Sequence, residues 1–298
     1  MSNNQTPDYY IAPKGSFDAT ADAIRAVNGT SESLTWGQNG FADAIGSNRK
    51  YTLEEVLGGS GITGDVVTTY SGNIKTAPFR GSPLITSFTG DNITGFSEGA
   101  KESAFSGCTN LTSVSLASYS YGSGNPNTFY GCTKLTTVSL PNLNVLYNSQ
   151  FFRGCTSLVK IAFPKLGGST YYDYLYGSNF YGCTKLEIAD LNIIGSIGTN
   201  TFYGCTVFNT LILRKSTAIQ SNTSTGNFTG TPFASGGTGG TIYIPKALYD
   251  HLGDGTSLDY KAATNWSTLD GYGTITWAKI EGSYYETHYG DDTLIPTT

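Results

Sequence analysis

Five cysteines are the first residues to weigh, because a thiol can hold a metal, form a cross-link or act as a nucleophile. They are Cys108, Cys132, Cys155, Cys183 and Cys205, spaced 22–28 residues apart. That spacing excludes the closely paired ligands of a zinc site. The chain has two histidines, His251 and His288, and neither sits in a known motif with a Cys, a Ser or a carboxylate. Asp250, Asp254, Asp291 and Asp292 lack the loop spacing that calcium requires and read as solvated charges. Glu54 and Glu55 fit a helix cap and its solvent face. No G-x-S-x-G, H-E-x-x-H or P-loop occurs. The GGSGITG stretch at 58–64 has the glycine spacing of a dinucleotide loop but lacks a strand before it and a helix after it, so it reads as a linker. The expectation is no enzyme, no catalytic residue, no metal and no cofactor.

Binding is the chemistry the residues favour. Two residues before four of the cysteines stand Tyr130, Arg153, Tyr181 and Tyr203. Next to each is a Phe that fits a core, so alternation sends these side chains outward as a ladder. The segments 119–127 (YSYGSGNPN) and 167–179 (GGSTYYDYLYGSN) combine Tyr with Ser, Gly and Asn, the composition of antibody paratopes. The expected contact residues are Tyr121, Tyr130, Arg153, Tyr171, Tyr172, Tyr174 and Tyr181. Tyr147 stands eight residues before its Cys, as Leu175 and Ile197 do, and is expected to be buried.

These residues are positioned by a repeat. It reads FSGCTNLTSVSL at 105–116, FYGCTKLTTVSL at 129–140, FRGCTSLVKIAF at 152–163, FYGCTKLEIADL at 180–191 and FYGCTVFNTLIL at 202–213. An earlier copy, FRGSPLITSF at 79–88, has Ser82 in place of the Cys, and a looser one continues through FTGTPF at 228–233. Phe three before the Cys, an apolar residue three after it, and apolar residues six and eight after it recur in every full copy. The last pair alternates with polar residues and predicts a short strand with one buried face. One such coil cannot bury its face alone, but a stack can. The cysteines then form an in-register column of buried thiols whose parallel side chains suit disulfide bonding poorly.

The repeat resembles the BspA-type (treponemal) leucine-rich repeat, whose consensus runs roughly F-x-G-C-x-x-L-x-x-I-x-L-P. LPNL at 140–143 and FPKL at 163–166 keep its Pro. The resemblance covers about 79–213. It departs at Ser82, at Ala189 and Phe208, and in the long fourth interval, which implies irregular curvature. It implies an α+β solenoid, a leucine-rich-repeat stack of short strands. The expected division is an arm and small helical module at 1–60, the solenoid at 61–240, and a strand-helix cap with a tail at 241–298. The helical cap is read from SFDATADAIRAVNG, GFADAIG and YTLEEVLGG. The far cap comprises a strand at Ile242–Ile244, Pro245 opening a helix, a second helix at 258–269 and a last strand at 274–280.

Residues 17–45 resemble a short module at the front of tail-associated proteins of phages and prophages of Gram-positive bacteria. That resemblance implies a virion tail-tip protein, attached through the module to other tail or baseplate proteins and recognising a host-surface glycan or protein through the solenoid. The repeats alone imply the alternative, a bacterial cell-surface adhesin. No signal peptide, membrane span or sorting tail is read in the sequence, so synthesis in the bacterial cytoplasm and residence in a virion are expected, with the cell surface as the alternative. Charged residues make up 13% of the chain and the net charge is −5, which gives no basic footprint for nucleic acid. Membrane insertion is not expected. Homo-oligomerisation is left open, with no coiled-coil heptads to drive it.

Overall fold

The computed structural model describes residues 50–51, 64–74, 79–96, 104–120, 127–146, 150–167, 175, 177–192, 197–214 and 225–280. The expected helices at 16–45 and 52–58, Tyr147 and the tail beyond 280 lie outside them. Lys50–Tyr51 forms a two-residue strand, β1, immediately before the third expected helix.

Each coil contributes one short parallel strand. The first sheet has the order β1, β2 (Gly64–Thr68), β4 (Ile85–Thr89), β6 (Ser113–Ser115), β7 (Thr137–Ser139). The second runs β12 (Ile275–Ile280), β11 (Gly240–Pro245), β10 (Thr210–Leu213), β9 (Ile188–Leu191), β8 (Lys160–Phe163). A smaller sheet pairs β3 (Gly72–Ile74) with β5 (Ile93–Phe96). Neighbours in each main sheet come from successive coils, which makes a solenoid-like stack. Equivalent repeat residues meet in register, such as Val114 with Val138 and Ala189 with Leu211.

The turn in Phe-x-Gly-Cys explains why these residue types recur. In each full copy the Cys N–H donates to the Phe carbonyl, and the residue three further on donates to the Cys carbonyl. The intervening glycines, Gly107, Gly131, Gly154, Gly182 and Gly204, hold φ between 70° and 75°. An L side chain strains there, so Gly is required. The Gly N–H then donates to the next coil, as Gly131 does to the Arg153 carbonyl at 2.9 Å. Between β7 and β8, whose strands belong to different sheets, these turn bonds join the coils. There Val138 is only half-buried, less than the repeat pattern predicts.

The core is a set of columns. Phe79, Phe105, Phe129, Phe152, Phe180, Phe202 and Phe228 stack at centroid spacings of 5.2–5.7 Å, their planes within 20° of parallel. Trp266 lies beyond Phe228 at 6.1 Å and closes the column. Beside it runs the thiol column. Each Sγ donates to the Phe carbonyl of the coil before: Cys108 to Phe79 at 2.8 Å, and Cys132, Cys155, Cys183 and Cys205 to Phe105, Phe129, Phe152 and Phe180 at 3.0–3.1 Å. All five thiols are free and buried. A thiol fits where a methyl would fill the space and a hydrogen bond is also available. Ser82 takes the Cys place in the first coil, with its N–H bonded to the Phe79 carbonyl.

Burial raises every one of these thiols above the ordinary 9.0, Cys108 and Cys205 to about 12. In the native protein at pH 8 and without reductant, a thiol reagent should therefore react slowly, and denaturant should release five equivalents at once. Rapid reaction of the native chain, or fewer than five equivalents after denaturation, would refute the column. The folded state holds the protonated form, so its stability contribution is complete below about 9 and is lost as pH rises towards 12.

Two expectations are corrected. First, β9 and β10 are buried on both faces rather than one. Their outward row includes Asp190, fully buried, and Ile212, 7% exposed, next to Tyr243 of β11, also 7% exposed. Arg214 lies against Asp190 as a fork, Nε to Oδ1 at 2.5 Å and the second nitrogen to Oδ2 at 2.7 Å. Parallel strands tolerate burial on both faces, and here an ion pair satisfies the polar member. Second, no helix fills 258–269. Asn265 adopts φ 64°, which no helix continues through, and α2 is only Trp266–Gly271. Asp259 accepts from the N–H groups of Gly255 and Lys261 and closes the preceding turn instead. The first cap helix, α1, spans Lys246–Tyr249, with Pro245 as its N-cap rather than inside its first turn.

Candidate functional site

The outward position of the Phe-x-Gly-Cys turn carries Arg80, Ser106, Tyr130, Arg153, Tyr181, Tyr203 and Thr229 on successive coils. The backbone of each central rung is held on both sides. The Tyr181 N–H donates to the Ser178 carbonyl at 3.2 Å, and its own carbonyl accepts from Gly154 at 2.9 Å. Tyr130, Arg153 and Tyr203 repeat the pattern. Gln150, Ser178 and Asn200, three residues before a rung, adopt φ of 75°, 62° and 59°, a left-handed bend that turns the chain into it. The rungs are thus presented by a fixed scaffold, which lowers the entropy lost on binding.

The side chains stack on one another. The Arg153 guanidinium sits 4.3 Å from the Tyr181 ring centroid. Tyr181 and Tyr203 are stacked at 4.8 Å and within 9° of parallel. Both faces of Tyr181 are therefore occupied, and the ridge shows ring edges, hydroxyls and the guanidinium rim. Tyr130 and Tyr203 remain 40% and 37% exposed, next to the small rungs Ser106 and Thr229. Large apolar groups left this exposed in register mark a contact surface more often than scattered ones do.

Of the residues expected from sequence, Tyr130, Arg153 and Tyr181 come together on this ridge. Tyr203 completes it, and its repeat position was the available signal. Tyr121, Tyr171, Tyr172 and Tyr174 lie outside the described residues. Tyr119, which opens the first Tyr-rich segment, is 1% exposed and packs between Phe96 and Phe151, so it belongs to the core. His251 pairs with Asp254 at 2.6 Å on the surface. The Thr256 N–H, and then His251, hold the Asp254 carboxyl below its usual range, which makes the pair part of a turn. Among the described residues no group of His, Cys, Asp or Glu could hold a metal, and no helix is long and apolar enough to cross a membrane.

Known proteins agree with the repeat. Residues 72–207 match the family described as BspA type leucine-rich repeat region, in six copies. This segment is a BspA-type leucine-rich repeat region. The chain is also similar to a leucine-rich repeat protein from Bacteroides ovatus ATCC 8483, whose crystal structure was solved at 1.19 Å. The identity is 18%, the match covers 74% of this chain and 43% of that one, and the TM-score is 0.35. No curated protein matches. Within this region the copies keep Phe and Gly at the turn, while the outward rung varies among Arg, Ser and Tyr. That freedom is where a binding surface can be written without disturbing the stack.

Proposed function

We propose that this chain is a non-enzymatic recognition protein whose repeat solenoid binds a cell surface through the Tyr130–Arg153–Tyr181–Tyr203 ridge. The observation that carries the reading is the ridge itself: adjacent rungs of stacked Tyr and Arg in register, with Tyr130 and Tyr203 exposed and Arg153 and Tyr181 half-buried between them. Tyr and Arg are the residues in which binding energy most often concentrates. In its finer form the protein is carried on the tail of a phage or phage-derived particle and recognises the bacterial host, a reading that rests on the resemblance of 17–45. The BspA-type region favours a second reading, a bacterial surface adhesin. Both use the same ridge and differ in what carries it.

The test of the ridge is adsorption of purified protein to host cells. An Arg153→Ala, Tyr181→Ala, Tyr203→Ala variant should adsorb at least about tenfold more weakly, since losing even one strong contact removes about 2 kcal/mol. Its melting temperature should hold within a few degrees. Full adsorption by the folded variant would move the site elsewhere. Immunogold labelling then separates the carriers, with label on purified particles for the first reading and on the cell envelope for the second.

A further inference from the structure

We infer that the ligand of this ridge is a linear polyanion, a polymer carrying a phosphate or carboxylate at about every rung of the stack. The inference rests on the recognition reading above and names the chemistry of its ligand. Although the whole chain carries −5, the turns that build the ridge carry Arg153, Lys134 and Lys185 and no carboxylate between Asn127 and Tyr130-Gly131-Cys132-Thr133-Lys134, nor at 150–159 or 177–186. Lys134 and Lys185 occupy the same repeat position, two residues after the Cys, and both are exposed. They stand two coils apart, roughly 10 Å along the axis at ~4.8 Å per coil, with Arg153 on the coil between them. The cations thus step along the stack at one per coil.

None of the three is committed to an acid. The ion pairs seen, Arg214 with Asp190, Lys246 with Asp250, His251 with Asp254 and Lys261 with Asp270, involve other residues. Lys134 donates only to the Asn110 amide oxygen, at 2.8 Å. Glu187, the first carboxylate after Lys185, is exposed and makes no ion pair with it. Between the two columns of side chains the surface is glycine and threonine. Gly131, Gly154 and Gly182 are half-buried and carry no side chain, so a chain can lie close to the backbone there. The Thr156, Thr184 and Thr206 hydroxyls donate to the carbonyls of Thr133, Thr156 and Thr184, which leaves their oxygens as further acceptors for sugar hydroxyls. The guanidinium sits over the Tyr181 ring at 4.3 Å and makes no ion pair among the described residues, so its donors stay available to a two-oxygen anion. Nucleic acid fits less well, because base stacking needs free aromatic faces and those of Tyr181 are already covered.

The experiment titrates the full chain with poly(glycerol phosphate), polygalacturonate, neutral dextran and single-stranded DNA, the nucleic acid whose bases are free to stack, by calorimetry. Binding of either polyanion is expected, at least about tenfold weaker at ~200 mM than at ~20 mM salt because screening shortens the reach of exposed charges. The two arms tell phosphate from carboxylate. A Lys134→Gln, Lys185→Gln variant should lose about tenfold in affinity with an unchanged melting temperature, these side chains being exposed. Dextran or DNA binding as tightly as the polyanions, or wild-type affinity in that variant, overturns the inference. Lys134 and Lys185 flank the ridge without belonging to it. Host-cell adsorption that survives their replacement but not that of the ridge residues therefore overturns the polyanion and leaves the recognition reading standing.

Discussion

Phe152→Ala should lower stability by about 3–5 kcal/mol, because it opens a cavity in the middle of a continuous aromatic column. Phe152 is fully buried, stacked at 5.3 Å on Phe129 and at 5.6 Å on Phe180, and in edge contact with Phe151 at 4.9 Å. Its carbonyl also takes the Cys183 thiol, so relaxation into the cavity disturbs that bond. For a chain of this size the loss corresponds to a fall of roughly 10 °C in Tm. Tyr130→Ala, one residue along its own turn from buried Phe129, should cost within about 0.5 kcal/mol, as exposed substitutions do. Thermal melts of the two variants check the register of the repeat directly. Equal losses would mean that the inward and outward positions have been exchanged.

Asp190→Asn should cost about 3–5 kcal/mol by a different mechanism, since it leaves the Arg214 charge buried without its counterion. Both side chains are almost completely removed from solvent, at 4% exposure for Arg214 and 0% for Asp190. The geometry is the two-bond fork that makes such a pair specific. Replacing both partners with apolar residues, as in Asp190→Leu with Arg214→Met, should recover most of the loss, because the penalty belongs to the unpaired charge and not to the pair's absence. A double-mutant cycle in urea measures the coupling. A single variant as stable as the wild type would show that Asp190 is solvated in solution.

The stack, the inward and outward positions of the turn and the free thiols could all be read from the sequence. The reason is that one coil repeats: an error at a single copy is corrected by the others, and the spacing of Phe, Gly, Cys and Leu directly encodes which way each side chain faces. Gly at the third place of the turn was legible for the same reason, since only it holds φ near 70° without strain. The outward ladder was legible as positions, including Tyr130, Arg153 and Tyr181.

Other features had no local signature. Nothing in IADL or TLIL says that Asp190 and Ile212 will be buried, because strand alternation reports which face a residue takes and not whether that face is covered. The partner of Asp190 stands 24 residues away, on the next coil. The helix expected at 258–269 failed at Asn265, where tertiary packing of Trp266 against Phe228 and Tyr260 fixes a left-handed residue that propensity would not choose. The stacking of Arg153 on Tyr181 and of Tyr181 on Tyr203 was likewise decided by the coil spacing. Sequence placed these groups on one line, but only the close separation of adjacent rungs closed the ring faces and turned a row of aromatic platforms into a ridge of edges, hydroxyls and charge.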